Sequence, residues 1–237
     1  MKPALIYNSR LFALVALGAI IASIAVGFCE DSVVPENPAG ESSVEMLNAT
    51  SVPSISLAIA GLGEHPVFPQ GAKIAGGAFP LTNWKLLARP KNATSELGEV
   101  ESEFKAQPGS SSTAVIIGDF LVEKEEGKKP KTRAAIVVLP GEFVSPDKPN
   151  RLILINGIPD KAIEINLDNG ASDVVDSLAE KRWSGLPHSV SVAAKVEGVI
   201  MKVPIEFVDP TRSAVVAFYL KDGKPAFVAS AQLTLKD

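Results

Sequence analysis

The sequence predicts an all-β protein: two tandem immunoglobulin-like antiparallel β-sandwich modules behind an N-terminal signal or anchor segment. Three observations predict it. The chain states one pattern twice, its apolar residues recur with a period of two, and glycine and proline, 18 of each, punctuate it at short intervals.

The leader comes first, over residues 1–29. Lys2 and Arg10 precede an uncharged run from Leu11 to Phe28, and Glu30-Asp31 end it. Basic, apolar and polar regions in that order are the layout of a secretory signal, with Ala25-Val26-Gly27 offering small residues for cleavage after Gly27. The run is 18 residues long (28 − 11 + 1), close to the minimum for a membrane span, so a retained single-span anchor is the alternative. Cys29 is the only cysteine, which excludes an intramolecular disulfide and leaves each module to fold on its apolar core. Lipidation at Cys29 is disfavoured by the bulky Phe28 before it.

Residues 30–43 are polar and acidic, with Pro35, Pro38 and Gly40 and no apolar periodicity, and read as a flexible linker. The first module is expected over 44–139, a proline-rich linker over 140–149, and the second module over 150–237.

The repeat sets the register between the modules. Val44-Glu45-Met46-Leu47-Asn48, Pro53 and the stretch Ile55–Gly61 have as counterparts Leu152-Ile153-Leu154-Ile155-Asn156, Pro159 and Ile163–Gly170. Phe79-Pro80 matches Leu186-Pro187, and Ser112-Thr113-Ala114-Val115 matches Arg212-Ser213-Ala214-Val215. The offset falls from 108 (156 − 48) to 100 (214 − 114), which predicts about seven extra residues in the first module around Pro90–Gly98.

Within the second module, Ile163, Ile165 and Leu167 alternate with Glu164, Asn166 and Asp168, and Val190, Val192, Ala194 and Val196 alternate with their neighbours. That is the mark of half-buried strands. Glu197-Gly198 and Asp222-Gly223 are hairpin-turn signals. The first module's matching hairpin, between Gly118–Val122 and Ala134–Leu139, has the charged tip 123–131. One segment, Asp173–Arg182, spaces Val174, Val175, Leu178 and Ala179 nearly as a helix would, with Asp173 as cap; an irregular connection between strands is the alternative. The cysteine pair and core tryptophan of antibody domains are absent, so the immunoglobulin-like reading concerns architecture alone.

Several function classes lose their footing. The chain carries a net charge of −4, or −6 without Lys2 and Arg10 (−4 − 2), and lacks the basic footprint of nucleic-acid binding. His65 and His188 lie in different modules at non-equivalent positions and do not make a zinc site. There is no Gly-x-Ser-x-Gly elbow, and Ser110-Ser111-Ser112 reads as a loop before a strand. Gly61-Leu62-Gly63 lacks the rest of a dinucleotide fingerprint, and Gly127-Lys128 lacks the upstream glycine of a phosphate loop. Asp168-Asn169-Gly170 with Asp173 falls short of the oxygen ligands a calcium loop needs. Asn48-Ala49-Thr50 and Asn92-Ala93-Thr94 match the glycosylation sequon by pattern. For sugar stacking only Trp84, Trp183 and Tyr219 are available beyond the leader, besides phenylalanines expected in the core. No catalytic, cofactor-binding or metal-binding residue is assigned, and no cofactor is expected.

An apolar strand ending in Asn, a Pro-containing turn, an alternating strand ending in Gly, and a Leu-Pro or Phe-Pro step resemble the uncharacterised bacterial β-sandwich family known as domain of unknown function 4397. The resemblance covers nearly all of the chain after Ser43, once per module. The family's Asn-Ala-Ser-Pro step stands here as Asn48-Ala49-Thr50-Ser51-Val52-Pro53 and as Asn156-Gly157-Ile158-Pro159-Asp160. Periplasmic accessory proteins of alginate O-acetylation are similar at a greater distance. What the resemblance implies is fold, export and association with the envelope or cell surface. The expectation is therefore an exported, non-enzymatic structural or protein-interaction module, periplasmic, surface-bound or secreted. It would act on envelope proteins, with polysaccharide binding or modification as the alternative, and touch a membrane only through an uncleaved N-terminal segment.

Overall fold

The structure is a computed structural model of the chain. It describes residues 42–235 apart from 75–77, 80–82, 92–96, 107–108, 124–130 and 142–143. The leader, Cys29, residues 30–41 of the expected linker, Pro80, Asn92 and residues 124–130 of the charged tip lie outside the described residues. Among those described, no helix is long and apolar enough to cross a membrane.

The protein is all-β. The first half supplies β1 (Ser42–Thr50), β2 (Ser54–Ile59), β3 (Gly63–Pro69), β4 (Lys73–Ile74), β5 (Ala78–Phe79), β6 (Asn83–Pro90), β7 (Val100–Lys105), β8 (Ser111–Gly118), β9 (Val122–Glu123), β10 (Lys131–Thr132) and β11 (Ala135–Pro140). The second half supplies β12 (Arg151–Asn156), β13 (Ile163–Leu167), β14 (Ser172–Val175), β15 (Glu180–Trp183), β16 (Ser189–Val196), β17 (Val199–Phe207), β18 (Ser213–Lys221), β19 (Lys224–Ala229) and β20 (Leu233–Leu235). Strand β1 starts at Ser42, inside the expected linker, because Ser43 N–H bonds to the Ser110 carbonyl and Trp84 Nε1 donates to Ser42 Oγ.

Each half builds two facing sheets, and the first adds a separate two-stranded pair, β9 with β10. In the first the orders are β11-β8-β1-β4, with β5 also on β1, and β3-β2-β6-β7. In the second they are β15-β12-β18-β19 and β14-β13-β16-β17-β20. One pair in each half is parallel, β1 with β8 and β12 with β18, so the expected antiparallel sandwiches each contain one parallel ladder. Alternation explains the filling. Ile55, Leu57 and Ile59 meet Trp84, Leu86 and Ala88 in the first core, and Ile163, Ile165 and Leu167 meet Val190, Val192 and Ala194 in the second.

A third apolar cluster joins the halves. Leu47 and Ala49 of β1, Val115 and Ile117 of β8, and Leu139 of β11 pack with Ile153 and Ile155 of β12, Val215, Ala217 and Tyr219 of β18, and Val228 of β19. The protein is therefore four layers of sheet, with the two inner sheets buried on both faces. This explains why Leu152–Ile155 is unbroken by polar residues: Leu152 and Leu154 enter the second core while Ile153 and Ile155 enter the seam.

The repeat is visible in the ladders, with one shift. Asn48 N–H bonds to the Ala72 carbonyl and Asn156 N–H to the Ala179 carbonyl, so the offset near 108 holds. Met46 stands beside Ala114, however, and Leu154 beside Val216, which makes the late-strand offset 102 (216 − 114). The alignment of Ala114 with Ala214 therefore slips by two residues; parity is kept, so each side chain still faces its expected side. The extra residues of the first half fall where expected: 91–99 join β6 to β7, whereas Glu197-Gly198 alone join β16 to β17. Both turn residues adopt positive φ, 48° and 84°, as do Asp222 and Gly223 at 51° and 74°.

The segment Asp173–Arg182 is not a helix. It forms the end of β14, a turn, and the start of β15. Two β-branched residues at Val174-Val175 favour the strand, Leu178 turns the chain at φ 57°, and Asn156 captures the Val175 and Asp176 carbonyls. The 140–149 connection is strapped down, not free: Val144 is buried, its N–H bonds to the Thr211 carbonyl, and Asn150 N–H bonds to that of Pro210.

Candidate functional site

Strand β11 is the feature most suited to engaging another molecule. It lies at the end of its sheet, and among the described residues it pairs only with β8. Its sequence is Ala135-Ile136-Val137-Val138-Leu139-Pro140, and its first four residues are half-exposed. The other edges are blunted in ways that block strand addition. Strand β3 contains Pro66 and Pro69 with a register shift against β2, β7 carries Glu101, Glu103 and Lys105, and β15 carries Glu180, Lys181 and Arg182. Strand β14 carries Asp173, and β19 opens with Lys224-Pro225. Strand β20 has three residues and β4 and β5 two each. Among the described edges longer than three residues, β11 is the one with no charge.

Both faces of β11 are anchored. Ile136 and Val138 pack on the first core, and Ala135, Val137 and Leu139 on the seam. At its N-terminal end Arg133 reaches across to Asp160 of the second half and lies 3.7 Å from Asp119. The edge is thus pre-ordered, so an extended segment adding to it would order mainly itself.

Most of the polar residues with potential for chemistry are engaged in structural contacts. His188, itself exposed, has Nε2 2.8 Å from the half-buried Glu206 carboxylate, and His65 sits on β3 in the other half. Asp168 accepts from Ser191 N–H at 2.9 Å and Asn169 from Ala171 N–H at 3.1 Å. Asp173 pairs with Lys181, whose hydrogen bond holds that carboxyl below its ordinary range. The Asp168–Asp173 stretch is a strand-ending turn, and no group of three potential metal ligands occurs among the described residues. Ser111 and Ser112 open β8, and Ser111 Oγ accepts from Arg212 of the second half at 3.2 Å.

The three aromatics that a sugar would stack on are packed. Trp84, contrary to the expectation of sandwiches without a core tryptophan, is buried in the first core and stacks on Phe104 at 6.3 Å; Tyr219 is buried in the seam, and the half-buried Trp183 lies against the second core. Burial pushes the Tyr219 phenol up. On the outer sheets, Lys85 bridges Glu101 and Glu103, and both hold its ammonium above the usual range. Glu64 bonds Ser56 and Arg89, which hold it low.

Sequence reasoning passed over two buried asparagines. Asn48, fully buried, donates its amide to the Phe68 and Pro69 carbonyls at 2.8 and 3.0 Å and accepts from Thr50 N–H at 3.2 Å. Asn156, also fully buried, donates to the Lys161, Val175 and Asp176 carbonyls at 2.6, 3.0 and 3.0 Å and accepts from Ile158 N–H at 2.9 Å. The signal was their place in the repeat. Their amides are structural, so the folded Asn48 sequon offers no acceptor for a glycan.

No protein-family model matches the chain, and no curated protein matches it.

Proposed function

We propose that the chain is an exported, non-enzymatic interaction module of the cell envelope, which binds an extended strand of a partner protein along β11. The observation that carries this reading is the apolar edge itself: six residues, uncharged, anchored on both faces and, among the described residues, paired on one side only. Main-chain hydrogen bonds would supply the affinity and the flanking half-exposed side chains the selectivity. The resemblance to the envelope-associated β-sandwich family supports export, and the leader composition supports it independently.

A photo-crosslinking residue at Ala135 of the full chain, expressed in its own cell, tests this. One defined protein adduct is expected, lost when Ile136 is also replaced by Lys in a chain that keeps its strand circular dichroism. Adducts indifferent to that charge, or glycan binding without any adduct, overturn the reading in favour of a polysaccharide accessory role.

A further inference from the structure

The chain contains two Asn-Gly pairs, Asn156-Gly157 and Asn169-Gly170. Asparagine is thermolabile, and most so before glycine, where no side chain hinders the next backbone nitrogen. That nitrogen attacks the asparagine Cγ and forms a C–N bond; the side-chain nitrogen leaves as ammonia, carrying away the attacking nitrogen's proton. Water then opens the succinimide ring at either carbonyl, giving aspartate or isoaspartate.

The fold demands the first pair and then shields it. The Asn156 amide donates to the Lys161, Val175 and Asp176 carbonyls. Gly157 has no room for a β-carbon, which would meet the Phe218 and Ala49 carbonyls at 2.7 and 2.8 Å. The counterpart in the first half reads Asn48-Ala49, so only the second half carries the labile form. Both residues are buried, and Gly157 N–H bonds to the Phe218 carbonyl at 2.8 Å. Ring closure would have to give up that bond and those of the amide together. The second pair is an internal control. Asn169 is exposed in the turn between β13 and β14, and its Oδ1 accepts from Ala171 N–H at 3.1 Å. An aspartate there still accepts from Ala171, and an isoaspartate lengthens only an exposed turn.

We propose that Asn156-Gly157 is a modification site uncovered by unfolding, and that its conversion bars the chain from refolding. A carboxylate at position 156 has no N–H to donate and would face three carbonyl oxygens in a fully buried site. An isoaspartate adds a methylene to the main chain just before Gly157, which displaces the seam contacts with Phe218 and Ala49. Unfolding then becomes irreversible at the rate of this one reaction.

Timed unfolding of the intact chain tests this. The protein is held in guanidinium at mildly alkaline pH, returned to buffer, and separated into refolded and misfolded fractions. Peptide mapping then reads both pairs in each fraction. While unfolded, both pairs should convert at similar rates. The refolded fraction should contain chains modified at 169 but none modified at 156, and its yield should fall in step with the loss of Asn156. In protein kept folded, conversion at 156 should be slower by roughly tenfold or more. Equal rates at 156 in folded and unfolded protein overturn the proposal. So does a refolded fraction that carries the 156 product in proportion to its formation. The rate comparison needs no variant and holds even where refolding is poor.

Discussion

The phenolic oxygen of Tyr219, in the second sandwich, stands 2.1 Å from where a β-carbon on Gly71 of the first would lie. Gly71 is also held at φ 75°, a region that disfavours side chains. By the repeat, Gly71 corresponds to Leu178, which keeps the same handed turn at φ 57° and packs on the seam. Tyr219 corresponds likewise to Ile117. The large side chain thus faces a glycine, and the smaller one belongs to a seam that admits a leucine.

Gly71→Ala is therefore expected to destabilise the protein by about 2–4 kcal/mol, from overpacking together with left-handed strain. Urea denaturation measures it. Adding Tyr219→Phe removes the nearest clashing atom and should recover part of the loss, a coupling that a double-mutant cycle quantifies.

Asn48→Ala and Asn156→Ala each remove a buried amide's hydrogen bonds to backbone carbonyls, of which those of Pro69 and Asp176 keep the Ala72 and Ala179 N–H groups as donors. A cost of about 1–3 kcal/mol is expected for each, since both amides give their two N–H groups to backbone carbonyls. Equal and negligible effects in thermal or urea unfolding would show that water replaces the amides.

Two glycine substitutions separate packing from backbone strain. A β-carbon on Gly157 would lie 2.7 Å from the Phe218 carbonyl and 2.8 Å from that of Ala49, whereas one on Gly198 meets nothing within 4 Å. Gly198, at φ 84°, should cost about 1 kcal/mol as Ala. Gly157→Ala should cost about 1–3 kcal/mol more by prising the seam apart, with increased hydrogen exchange at Gly118, whose N–H bonds to the Gly157 carbonyl at 3.2 Å.

Part of the Glu45 side chain on β1 touches solvent, but desolvation of its carboxylate, partly opposed by the Ala231 N–H and Lys73, pushes that group up. Global stability carries the sign of the shift. The folded carboxyl titrates near 7 and the unfolded one near 4.5, so the folded state holds the proton more tightly. The resulting stabilisation is complete below about pH 4.5 and is lost as pH rises through 7, by at most about 3 kcal/mol. Asp173 and Glu64, both held low, act in the opposite direction and at more acid pH. Denaturation midpoints between pH 5 and 8.5 should therefore decline in the native chain and flatten in Glu45→Gln.

Much of the architecture was readable because alternation and turn chemistry act locally. Strands β13 and β16 and the turns at Glu197-Gly198 and Asp222-Gly223 follow from neighbouring residues alone. The seam was not read, although Leu152–Ile155 carried its mark: a strand apolar on both faces must have two neighbours to bury against. The turn at Asp176–Ala179 escaped because its cause, the Asn156 amide, lies 20 residues upstream of Asp176. The candidate edge was hidden for the opposite reason. Ile136–Leu139 looks like an interior strand, and only the sheet order shows that it ends its sheet.

The shared seam also changes what counts as one folding unit. Severed between Pro140 and Asn150, either half would carry an intact core yet present a broad oily sheet to water. Each fragment would then seek a replacement for its missing sibling, and the nearest in shape is another copy of itself. The full chain behaves as a dimer that never has to find its partner.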